Sequence, residues 1–342
     1  MTAIRELTDA DQKLWDQFVE RIPEGSFFHR AGWREVIEGG FGHRAHYLLA
    51  ERDGRITGVL PLIHLRSRLF ANALISTAFC VGGGPLAEDE PTRAALDQAA
   101  LGLADRLDVD FLEYRAPPPT APGWRSRSDL YCGFARQIEA DPERNLLAIP
   151  RKQRAEVRKG IKLGLAGTLD QDVSRFYDLF AGNVRHHGTP VFGKRYFRLL
   201  KDVFGQDCEV LIVTRDGRPV SGLMSFYFRD RVLPYYAGSG PDSRALCGHE
   251  FMYWDVMRRA GERGLHWFDF GRSKVGTGSF DFKTNWGFTP EPLTYGYHLR
   301  RGDQLPEFNP ANPRYRMFIA LWRHLPLGLS KIMGPWIARS LG

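Results

Sequence analysis

The sequence predicts an α/β protein, with mixed sheets flanked by helices, built as two copies of one unit. Three observations carry this reading. The same four-residue turn, Arg-Asp-Gly-Arg, occurs at 52–55 and again at 215–218, each time between apolar runs. Asp-Gly in that setting marks a hairpin, because glycine accepts the positive φ the turn requires. Each hairpin is followed by more strand, a helix and an aromatic–acidic strand. These are residues 96–107 then F-L-E-Y-R at 111–115, and residues 250–263 then W-F-D-F-G-R at 267–272. When the helix ends are matched, Glu113 falls where Asp269 falls. An ordered series of this kind indicates internal duplication.

The elements follow in order. Residues 11–20 carry Leu14, Phe18 and Val19 at helical spacing, and a second helix over 33–38 follows a Phe27-Phe28-His29 elbow. The first hairpin comes next. The loop Val81-Gly-Gly-Gly-Pro85 has the glycines to approach a phosphate but no helix immediately behind it. A proline-rich stretch at 117–122 reads as a boundary-like loop, and the first domain is placed at 1–145 and the second at 146–302.

The second domain opens on the most basic segment of the chain, residues 151–162. Pro150 ahead of it and Gly164 behind it suit a helix start and stop. Arg151, Arg154 and Arg158 share one helical face, with Lys152 and Lys159 nearby, so the face could hold a diphosphate or simply be solvated. Residues 172–187 form a further helix with Phe176, Leu179, Phe180 and Val184 on its apolar face. It ends in His186-His187, where either imidazole could serve as a general base or cap the helix dipole. Tyr236 precedes the segment 238–250, which leads from a strand into a helix.

Composition sets bounds. The chain has 342 residues, 43% hydrophobic and 25% charged, with a net charge of +7 and a pI near 9.3. This balance suits polyanionic partners. The four cysteines stand far apart with no C-x-x-C pair, which suggests neither a disulfide framework nor a zinc site. The N-terminus lacks a signal pattern, and no apolar run reaches the ~20 residues that span a bilayer. A cytoplasmic location is expected. The tail, residues 311–342, is basic and amphipathic with no acid after Glu307. Its helices are expected to pack back on the first domain, or to rest on an anionic membrane surface such as the inner membrane.

The densest motif is residues 267–288. Alternation puts Trp267 and Asp269 on one strand face, and Phe268 and Phe270 on the other. Gly271 releases the backbone, Arg272 and Lys274 follow, and a Gly-Thr-Gly-Ser loop leads to Phe282-Lys283 and Trp286-Gly287. D-F-G-R-S followed by G-T-G-x-x-x-F-K-x-x-W-G resembles the signature of the FemAB-like acyltransferases of the GNAT superfamily. In particular it resembles the FemAB-type proteins associated with exosortase/PEP-CTERM systems. The resemblance spans residues 15–299.

It implies a tandem duplication of a GNAT acyltransferase fold. The implied activity moves an acyl or aminoacyl group from aminoacyl-tRNA or acyl-CoA to an amine acceptor, with no bound cofactor and a link to cell-envelope polymers. By the same resemblance the R-x-x-x-R-K segment matches Arg154, Arg158 and Lys159, and Lys283 belongs to the acyl-donor end of the site. The chemistry that fits is direct attack on the donor carbonyl, because no G-x-S-x-G or Cys–His nucleophile arrangement is present. Lys283 and Asp269 are the expected catalytic residues. Arg272, Phe282, Trp286, His187 and Tyr236 join the basic segment as substrate-binding candidates. The chain departs from the family at Glu35-Val-Ile-Glu38, where a lysine often helps to hold an acceptor diphosphate. The alternative from another class is a fold relative without chemistry, tethering export machinery.

Overall fold

The computed structural model describes residues 2–67, 72–306 and 320–340. The chain divides into two compact units. The first comprises Met1–Leu130, Leu293–Phe308 and Arg339–Gly342, and the second comprises Tyr131–Pro292 and Asn309–Ala338. The division therefore falls at Leu130, inside a strand, rather than near residue 145.

The first unit contains β1 (Ala3–Glu6), α1 (Gln12–Arg21), α2 (Trp33–Phe41), β2 (Arg44–Arg52) and β3 (Arg55–Arg66). It continues with β4 (Asn72–Ser76), β5 (Leu86–Ala87), α3 (Glu90–Arg106) and β6 (Phe111–Tyr114). Its strands run in the order β1-β2-β3-β4-β6, and Gly296–Leu299 of a later strand pair with β6. β2 and β3 are antiparallel with Arg52 opposite Arg55, whereas β4 and β6 are parallel. The turn residues Asp53 and Gly54 both have positive φ, 53° and 72°, the geometry of a type I′ turn. α3 is capped by Asp89, whose carboxylate accepts from the Thr92 amide at 2.9 Å. Its buried Leu96, Ala100 and Leu103 lie against Leu48, Leu60, Leu74 and Leu112 of the sheet.

The second unit repeats the plan. β7 (Trp124–Gln137) leads into it, followed by α4 (Pro142–Ala148), α5 (Arg151–Lys162), β8 (Ala166–Asp170), α6 (Ser174–His186) and α7 (Lys194–Phe204). Then come β9 (Cys208–Arg215), β10 (Arg218–Phe228), β11 (Arg231–Ser239), α8 (Ser243–Leu246), α9 (Gly248–Glu262), β12 (Trp267–Lys274) and α10 (Gly278–Asn285); β13 (Glu291–Leu299) follows and from Leu293 on belongs to the first unit. The β9–β10 turn copies the first one, with Asp216 at φ 48° and Gly217 at φ 74°. β10 pairs antiparallel with both β9 and β11, and β11 pairs parallel with β12 only at Arg231 and Val232. Trp267 is thus the counterpart of Phe111, and Asp269 of Glu113.

Along β12, Phe268 and Phe270 are buried while Trp267 and Asp269 are partly exposed, as the alternation requires. The second aromatic run is helical: α10 starts behind Thr277, whose hydroxyl donates to the Lys274 carbonyl at 2.7 Å. The tail corrects an expectation. α11 (Leu327–Ala338) lies on α6 of the second unit, where Lys331 pairs with Asp178 at 2.6 Å and Gly334 closes on Val191. Gly334 and Ser330 are the small residues that permit this approach. Of the tail's described end, Arg339 belongs to the first unit, its carbonyl 2.5 Å from the His43 ring. Residues 311–319 and 341–342 lie outside the described residues.

Candidate active site in the second unit

β11 leaves the sheet through Ser239-Gly240-Pro241, and the chain re-enters regular structure at α9. Two glycines set this passage. A Cβ at Gly238 would stand 2.4 Å from the Phe180 amide nitrogen, so α6 can lie directly on the strand. A Cβ at Gly248 would stand 2.6 Å from Val220 and 2.7 Å from the Ser243 hydroxyl, and the Ser221 hydroxyl donates to the Gly248 carbonyl at 2.9 Å. Between the strand exit, α6 and the first turns of α5 and α9 lies a cavity of ≈ 1270 Å³.

Its wall carries the cations Lys152, Arg175, Arg185 and Arg244, and the acids Glu156, Asp178 and Glu250. Four of these already have partners, Arg185 among them, which donates to the Leu325 carbonyl at 2.9 Å. Arg175 pairs with Asp170, Asp178 with Lys331, and the Glu156 carboxylate accepts from the Cys247 thiol at 2.8 Å. Lys152 and Arg244 line the same space as His249 and Glu250 in the first turn of α9, the positive end of that helix.

His249, second residue of α9, lines the cavity and is half-buried, with its Nε2 shielded from solvent. Among the described residues none gives its Nε2 a hydrogen-bond partner. Burial, and then the nearby His187, lower its pKa, so the imidazole is neutral at ordinary pH. The adjoining Glu250 is also half-buried, and this desolvation raises its carboxyl pKa. A neutral imidazole and a basic carboxylate at the mouth of a cationic cavity can accept a proton from an attacking amine.

The residues named from sequence are distributed differently. Arg154 donates to the Leu147 carbonyl at 2.8 Å and Arg158 to Glu143 at 3.4 Å, both toward α4 and away from the cavity. The cavity-facing side of α5 is Lys152, Gln153 and Glu156, while Lys159 does not line it. His186 lines the wall, whereas His187 does not. The Tyr236 hydroxyl is tied to that of Tyr196 at 2.8 Å within an aromatic cluster including Phe180 and Phe197, and Tyr236 is outside the lining.

Lys283 and Asp269 act on the motif itself. The Lys283 ammonium donates to the carbonyls of Phe270 at 2.7 Å and Arg272 at 2.9 Å, and stands 5.4 Å from the Phe134 ring centroid. Burial brings its pKa down to about 8. One Asp269 oxygen accepts from the Gly271 amide at 2.7 Å and the other from Arg231 at 3.0 Å. These bonds fix the register shift between Asp269 and Arg272, where β12 pairs with β7. Trp286 is fully buried, Phe282 packs on Tyr253 and Phe270, and Arg272 lies over Tyr131 at 4.4 Å. Neither Lys283 nor Asp269 lines this cavity; both hold the bulged end of β12. His249 and Glu250 were legible only as part of the strand-to-helix segment 238–250; a His-Glu pair in the first turn behind a glycine-rich strand exit was the available signal.

Comparison with known proteins agrees with this architecture. Residues 151–284 match the acetyltransferase (GNAT) domain family. No curated protein sequence matches the chain. The crystal structure of FemX superposes with a TM-score of 0.69 at 15% identity, covering 93% of this chain and 100% of that one. A tandem GNAT protein from the clavulanic acid biosynthesis pathway, solved without AcCoA, gives 0.55 at 13% identity, covering 89% and 100%. L-PGS from Bacillus licheniformis gives 0.52 at 13% identity, covering 94% and 99%. Residues 151–284 of the cavity-bearing unit thus carry an acetyltransferase (GNAT) domain, and the chain shares its fold with FemX and with a tandem GNAT protein.

Proposed function

We propose that the chain is an acyltransferase that moves an acyl or aminoacyl group from a phosphate-bearing carrier in the second unit's cavity to an amine acceptor. The observation that carries this reading is the cavity itself: the cations Lys152 and Arg244 and a helix start on its wall, and at the same helix start an imidazole whose shielded Nε2 has no hydrogen-bond partner among the described residues. The carrier is acyl-CoA or aminoacyl-tRNA. Its phosphates would face Lys152, Arg244 and the α9 amides, as anions do at helix starts.

The acceptor amine attacks the donor carbonyl directly. As the N–C bond forms, nitrogen loses a proton to His249 Nε2, with Glu250 beside it, and the carbonyl electrons move to oxygen. Collapse of that intermediate expels the carrier as its thiol or ribose hydroxyl, which takes the proton back. No covalent enzyme intermediate is needed, and the rate comes from positioning and from the charge environment. Lys283 and Asp269 hold the neighbouring strand end that frames the reaction. The resemblance of the motif to exosortase-associated FemAB-type proteins supports an acceptor connected with envelope or exported polymer.

The test is equilibrium binding of acetyl-CoA and of charged tRNA at two salt concentrations, with Lys152→Glu alongside. Salt-steep tRNA binding lost in the variant supports aminoacyl transfer, since phosphate contacts release counterions. CoA binding alone supports an acyl-CoA enzyme. Binding of neither, with a folded protein, overturns the proposal in favour of a tethering role.

A further inference from the structure

α11 is built inside out. Its buried positions are the small residues Ser330, Gly334 and Ala338, one every four residues, and these make the contact with the domain. The large apolar side chains Leu329, Ile332, Met333 and Trp336 follow the i, i+3, i+4, i+7 pattern on the opposite side. Ile332 is 68% exposed and Trp336 69%, and Leu321, just upstream, is 66% exposed. Soluble proteins rarely leave such a contiguous apolar stripe in water.

The surroundings of the stripe state its partner. From residue 308 to the C-terminus the chain contains five arginines and lysines and not one acidic residue. Arg323 is exposed beside Leu321. A second copy of the chain would set like charges against each other across a two-fold axis, which disfavours pairing through this face. An anionic surface with an apolar interior matches both features. The helix has 12 residues, and among the described residues no helix is long and apolar enough to cross a membrane, so α11 would lie in the interface plane. Trp336 has the amphipathic ring that favours the headgroup level.

We propose that the Leu329–Ile332–Met333–Trp336 face of α11 docks on an anionic membrane surface, with Arg323 at the headgroups. α11 begins at the cavity: Leu327 is part of its lining, and Arg185 donates to the Leu325 carbonyl at 2.9 Å. Docking would therefore bring the cavity rim to the lipid surface. This inference does not depend on the transfer activity.

The experiment is co-sedimentation of the full chain with vesicles of phosphatidylcholine alone, and of phosphatidylcholine with one quarter phosphatidylglycerol, at about 50 and about 500 mM salt. Binding to the anionic vesicles, weakened by salt, is expected. Ile332→Ser with Trp336→Ser should lower it at least ~10-fold, and Arg323→Glu by ~3-fold. Both sets are solvent-facing changes that leave the melting temperature in place. Equal binding to both vesicle types, or equal binding by the variants, overturns the proposal. So does a dimer in solution that Ile332→Ser abolishes, which would make the face a self-association surface.

Discussion

Lys283 and Phe270 are joined by a 2.7 Å hydrogen bond from the ammonium to the backbone carbonyl, with a second bond to Arg272 holding the same turn. A lysine placed this way stabilises a bulged strand end. Lys283→Met removes the donor from two carbonyls of a partly buried turn, and should cost on the order of 2–3 kcal/mol in stability, measured by urea unfolding. The pH dependence has a defined sign. The folded pKa is about 8 against 10.5 for an ordinary lysine. Between those values the unfolded chain keeps a proton that the folded chain has released, so stability rises with pH across that window. The methionine variant lacks this rise, and the gap between the two proteins should widen in the wild type's favour from pH 8 to 10.5. A constant gap would show that burial does not govern Lys283.

His249 is expected to matter for turnover and little for folding. His249→Gln keeps the volume and removes the base, and should lower kcat by roughly 10²–10⁴-fold with the donor's binding preserved. Because burial and His187 lower the imidazole pKa, the acid limb of the wild-type pH–rate profile should lie below the ordinary histidine value of 6.5. A profile unchanged in the glutamine variant would transfer the base role to Glu250.

The cationic helix α5 presents two faces with different duties. Lys152 lines the cavity, while Arg158 points to Glu143. Lys152→Glu should weaken donor binding about 10-fold and flatten its salt slope by about one unit, and Arg158→Ala should change neither by more than about twofold. Titration of the bound donor at several salt concentrations separates the two.

In the first unit His29 is fully buried, with its Nδ1 2.8 Å from the Ser26 hydroxyl. Burial lowers its pKa from 6.5 to about 4. As pH falls from 6.5 toward 4 the unfolded chain takes up a proton that the folded chain refuses, so stability is lost across that window. The loss from this group should be about 2 kcal/mol at pH 5. His29→Gln should show a shallower decline of Tm between pH 6.5 and 4.

The legibility of these features follows their range along the chain. Asp53-Gly54 and Asp216-Gly217 specify their turns within four residues, so the duplicated hairpins could be read directly. The Trp267–Phe270 alternation was equally local. The direction of each cation was not, because it depends on which side of α5 packs against α4. Arg154 reaches the Leu147 carbonyl and leaves Lys152 to the cavity. The partners of Lys283 depend on a register shift against β7, far away in sequence. His249 faces the cavity because Gly248 closes on Val220, a contact that spacing does not reveal.

The cavity's floor yields a last prediction from two glycines. Gly238 sits in β11 under α6, where a new Cβ would meet the Phe180 nitrogen at 2.4 Å and its Cα at 2.5 Å. Backbone atoms of a packed helix cannot swing aside, so α6 itself would have to lift. Gly238→Ala should therefore cost about 3 kcal/mol and weaken donor binding, since α6 forms one wall. Gly182 lies on α6, and a Cβ there meets nothing within 4 Å. Gly182→Ala replaces a poor helix former with a good one in open space, and should stabilise by up to about 1 kcal/mol. Opposite signs for the two substitutions in one unfolding series would establish that α6 is seated by Gly238. Equal destabilisation by both would mean that α6 tolerates no added methyl group, and the seating argument would fail.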